Sequence, residues 1–81
     1  MPDLPRICFD TNEPDDSCPD AYSLSIFGAQ EDIQRFGDSI RPGMRVLLYM
    51  GDELEVEAIL QYNSQHQYWI GHADMSTLRY L

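Results

Sequence analysis

The chain has 81 residues, with 5 basic side chains against 14 acidic ones and a formal net charge of −9. That length holds one domain, residues 1–81, and 43% hydrophobic with 11% aromatic residues is too apolar for a disordered tail. No apolar run reaches the roughly 20 residues of a membrane span, and Met1-Pro2-Asp3-Leu4-Pro5 lacks a secretion-signal pattern, so a cytoplasmic location is expected.

Residues 1–5 carry two prolines and read as a frayed amino terminus. Arg6–Phe9 suits a short strand with Ile7 and Phe9 on one face. Residues 10–20 hold five acids, two prolines and no base, the pattern of a mobile acidic loop. A calcium loop is a poor match there. Pro14 falls where an oxygen ligand is needed, Asp15 where the turn glycine is needed, and Ala21 where the closing glutamate is needed.

Tyr22–Phe27 alternates, with Tyr22, Leu24 and Ile26 facing one way, and reads as a half-buried strand. Over 29–36 the period changes. Ala29, Ile33 and Phe36 share a helical face, Glu31 and Asp32 are read as first-turn acids favoured by the helix dipole, and Gly37 suits the C′ position. Arg41-Pro42-Gly43-Met44 has the residue order of a type II turn. Met44–Met50 is apolar apart from Arg45 and predicts a central strand. Gly51-Asp52 fits a two-residue hairpin loop.

Glu53–Tyr62 carries the clearest alternation in the chain. Leu54, Val56, Ala58 and Leu60 face one side, while Glu53, Glu55, Glu57 and Gln61 face the other. Ile59 departs from it, which predicts a bulge or a covered end. Tyr68–Gly71 is a further strand, with Trp69 opposite Tyr68 and Ile70. His72-Ala73-Asp74 suits one helical turn, with Asp74 or Ser76 as its cap, and Thr77–Leu81 a last strand.

These elements predict a mainly β domain with one short helix, either a small barrel or a strongly curled antiparallel sheet of five to six strands. The meander 45–72, one-turn connection and final strand make residues 44–81 resemble SH3-like small barrels in strand order and turn lengths. That resemblance implies an architecture and brings no function with it. So small a core also leaves room for a homodimer interface along 46–50, Phe27 and Ile59.

The chemistry-bearing residues are few. Cys8 reads as a small packed hydrophobe and Cys18 as a poor nucleophile among carboxylates. Zinc would need Cys8, Cys18, His66 and His72 to converge, and no CxxC or HxxxH spacing supports that. No phosphate-binding or catalytic motif occurs, so no enzyme activity, no metal site and no cofactor is expected. Scattered arginines and an acidic balance argue against nucleic acid and anionic membranes as partners. What remains is contact with another protein, a basic one fitting the sign of the charge, in which Trp69, Tyr68 and Tyr49 supply an aromatic patch bordered by Glu53, Glu55 and Glu57. Trp69 as a core residue is the competing reading. A nucleic-acid-mimicking inhibitor of a basic protein and a small metal protein are the alternative functions.

Overall fold

The computed structural model describes residues 4–15, 20–65 and 67–81. Along the chain it places β1 (Arg6–Cys8), β2 (Ala21–Ser23), helix α1 (Phe27–Phe36), a 3₁₀ turn at Gly37–Ser39, β3 (Arg45–Met50), β4 (Leu54–Asn63), β5 (Tyr68–Ala73), a second 3₁₀ turn at Met75–Thr77, and β6 (Arg79–Tyr80). The expected strand at 22–27 is cut to three residues, because the chain turns into the helix at Phe27. None of these helices is long and apolar enough to cross a membrane.

The six strands form one sheet in the order β1-β3-β4-β5-β2, with β6 alongside β4. It is mainly β with one short helix, as the alternation requires, yet it does not close into a barrel and is not wholly antiparallel. β1 runs parallel to β3, with Ile7 opposite Leu48. Long β4 is the spine. Its first half pairs with β3, its second half with β5, and Leu54 and Glu55 also pair with β6.

Alternation sorts the two faces as read from the sequence. Val46 and Leu48 on β3 and Leu54, Val56, Ala58 and Leu60 on β4 all point to the buried side, where they meet Ile7, Phe9, Leu24 and Ala29. Gly71 in β5 is a packing glycine and no turn glycine. A Cβ there would stand 2.9 Å from Leu48 Cδ1, so the missing side chain makes room for a core leucine. The 41–44 turn forms as expected, with Gly43 at φ +84°. The next hairpin differs. Gly51 takes φ +54° and Glu53 N–H donates to Met50 O at 3.1 Å, so Glu53 belongs to a three-residue loop and Leu54 opens the strand.

Both long edges of the sheet are covered. The outward Cys8 N–H on β1 is taken by a helix side chain, described below. On β2, Ser23 N–H donates to Glu13 O at 2.9 Å and Asp15 N–H to Ala21 O at 2.8 Å. Residues 13–15 are therefore stitched to the sheet and do not form the loose loop expected from composition. Pro5 is likewise anchored, its carbonyl accepting from Leu47 N–H at 2.8 Å, so fraying does not extend to residues 4–5. Residues 1–3 and 16–19, Cys18 among them, lie outside the described residues.

Candidate functional site

The six residues expected to form one aromatic and acidic patch do not share a surface. β4 carries Tyr62 near one end and Glu55 near the other. Seven residues at about 3.3 Å each separate them by about 23 Å. Trp69 pairs with Tyr62 across the β4–β5 ladder and points to the core side. Tyr68, Tyr49, Glu55 and Glu57 alternate to the opposite face.

The acids of β4 are not a free anionic stripe. Glu55 is only 6% exposed, against the expectation that alternation would leave it in solvent. Arg79 pairs with it closely, and Arg6 Nη2 lies 3.9 Å away. Arg45 reaches Glu57 at 2.9 Å and Asp74 at 3.8 Å. A carboxylate is held beneath the surface only where cations and donors meet it, and these arginines do so. Glu53, in its turn, takes no ion pair among the described residues.

Tyr49 is committed elsewhere. Its hydroxyl donates to Asp32 Oδ2 at 2.8 Å, and the Arg6 guanidinium lies 4.7 Å from its ring centre. The same Asp32 oxygen accepts the Cys8 N–H at 2.9 Å, and Arg35 approaches its other oxygen at 3.4 Å. Because α1 begins at Phe27, Asp32 falls mid-helix and the first turn holds no acid. Asp32 is 4% exposed. This clamp was missed from sequence, although the signal existed: Asp32 stands three residues after Ala29 and four before Phe36, on the helix's apolar face. The hydrogen bond to Asp32 pushes the Tyr49 hydroxyl above its ordinary pKa, helped by burial. Burial, then the charges of Asp32 and Asp10, push the Cys8 thiol above its ordinary pKa, which disfavours the thiolate.

His72 stays in β5 and does not start a helical turn. Its Nε2 lies 2.8 Å from Gln61 Oε1. Asp74 caps the short turn as expected, accepting from Ser76 N–H at 3.2 Å and Ser76 Oγ–H at 2.6 Å. These bonds lower the Asp74 pKa. Among the described residues no three of His, Cys, Asp or Glu converge as a metal site, and His66 lies outside them.

What the structure does gather is a cleft of about 320 Å³ between α1 and the β4–β5 hairpin. Tyr62 and Trp69 form its aromatic wall, their rings edge to face with centres 5.1 Å apart. Gln30, Gln34, Gln67, Ile33 and Tyr68 also line it, and Gln30 Nε2–H donates to Ser25 O at 3.0 Å. Trp69 is half-buried and packs on the core, whereas Tyr62 is 45% exposed. Trp69 thus serves packing and cleft at once. Tyr68 is also tied to Asp15 Oδ1, to which its hydroxyl donates at 2.7 Å. No family model, curated protein or solved structure matches the chain.

Proposed function

We propose that this chain is a non-catalytic module that binds another protein, with Tyr62 and Trp69 as the contact. The observation that carries the reading is the aromatic pair of the α1–β5 cleft, in which Tyr62 is 45% exposed and stands edge to face against the half-buried Trp69. Rigid aromatic side chains contribute much contact area at low entropic cost, and they dominate binding energy where they are found at interfaces. Glutamine amides both donate and accept, which suits the backbone of a partner segment and needs no charge on it.

The test is affinity capture from the native host with the wild-type chain and a Tyr62→Ala variant. Tyr62 is exposed enough to be removed without emptying the core. A partner retained by the wild type and lost by the variant supports the reading. Equal recovery by two equally folded proteins overturns it.

A further inference from the structure

A second apolar opening lies at the other end of β4, where the sheet stays unclosed. It is a groove of about 300 Å³ walled by Phe9, Tyr22 and Val56 on one side and by Leu78 and Tyr80 on the other, with Thr11 at its lip. Phe9 and Tyr22 stack edge to face at 5.2 Å and form a rigid inner wall. Tyr80 is 77% exposed and Leu81 63% exposed, so this apolar surface continues out of the groove.

Strand β6 borders it and pairs only with β4 among the described residues. Leu81 N–H donates to Glu53 O at 2.9 Å, and Arg79 stands opposite Glu55. An antiparallel ladder alternates, so residues 79 and 81 turn their amides toward β4, and Tyr80 turns its N–H and C=O away from it. The β1 and β2 edges are covered, by Asp32 and by residues 13–15. The β6 edge has no such cover among the described residues.

Charge at the mouth is one-signed. Thr11 Oγ1–H reaches Met50 Sδ at 3.7 Å, which sets the 10–13 segment beside the 51–53 turn. Asp10, Glu13, Asp52 and Glu53 belong to these two segments, and none takes an ion pair among the described residues. The cations next in sequence to these segments and to Tyr80, Arg6 and Arg79, both stand against Glu55 on the opposite face.

We infer that the β6 edge and its groove take an extended, basic segment of a partner protein, added as a further strand. Alternate side chains of such a strand fall on one face. Its apolar residues enter the groove past Tyr80, its backbone meets the Tyr80 amide and carbonyl, and its lysines or arginines meet the four carboxylates. The surface is separate from the Tyr62–Trp69 cleft and does not depend on it.

The experiment titrates the full 15N-labelled chain with a capped nonapeptide of alternating valine and lysine. Control peptides carry glutamate for lysine, or N-methylated amides at alternate positions. Expected are saturable shifts centred on Thr11, Tyr80 and Leu81, and affinity falling about tenfold between about 50 mM and about 500 mM salt. Both controls should fail to bind. Tyr80→Ala should weaken binding at least about fivefold, Glu53→Gln should flatten the salt dependence, and Tyr62→Ala should change neither. Equal binding of the glutamate peptide, shifts confined to Tyr62 and Trp69, or no saturable shift overturns the assignment. So do concentration-dependent shifts at Tyr80 without peptide, which would give the groove to a second copy of the chain.

Discussion

Asp32 ties the helix to two strands of the sheet. It accepts from Cys8 N–H and from the Tyr49 hydroxyl, so its removal leaves two donors without an acceptor. Asp32→Ala should cost about 3 kcal/mol in urea unfolding, and Asp32→Asn, which keeps a carbonyl acceptor, about 1 kcal/mol. A loss below about 0.5 kcal/mol for the alanine variant would show the clamp to be idle. The same node sets an alkaline limit. In the folded chain Tyr49 and Cys8 both hold their protons above their ordinary values. The unfolded chain therefore releases them first, so this stability is fully present below the ordinary values and is lost as pH rises through the folded ones. Stability should decline above about pH 9, and Tyr49→Phe should reduce that slope. At this scale the sequence was only partly legible. The apolar face of α1 could be read from period alone, but a buried carboxylate on that face makes sense only once β1 and β3 supply its donors.

Strand β4 organises the elements and was the most legible of them, since a period of two needs no knowledge of neighbours. Its partners were less so. Periodicity reports which face of a strand is buried and is silent on which strand lies beside it, so the parallel β1–β3 pair was invisible. Glu55 shows the limit on one residue: alternation put it on the outer face correctly and Arg79 is its cross-strand partner, but the approach of Arg6 from β1 could not be read from period. The packing role of Gly71 was not legible, because a glycine inside a strand declares its purpose only once Leu48 is in place. Gly71→Ala should cost about 1–2 kcal/mol by thermal or urea unfolding, since Leu48 must move within a filled core. A Leu48→Ala change in the same chain should absorb part of that cost, giving a coupling of about 1 kcal/mol in a double-mutant cycle. Additive losses would mean that the two side chains do not meet.

Across the whole molecule, charge is unevenly spent. Four of the five arginines stand against Asp32, Glu55, Glu57 and Asp74, while Asp10, Glu13, Asp20, Asp52 and Glu53 take no ion pair among the described residues. Repulsion among them opposes the compact state. Moderate salt should therefore raise the melting temperature, read by circular dichroism, and a fall would show that the arginine pairs outweigh the repulsion. The mainly β character and single short helix were legible at this scale from composition and period. The unclosed sheet was not, because closure depends on where two ends of a sheet meet in space. The placement of β1 has a kinetic corollary. A chain emerging from the ribosome makes residues 6–8 first, yet their parallel neighbour, beginning with Leu47 opposite Arg6, is synthesised much later. Closing so long a loop is entropically slow. The hairpins 45–63 and 54–73 should nucleate, with β1 docking last, so substitutions at Ile7 should accelerate unfolding and leave the refolding rate nearly untouched.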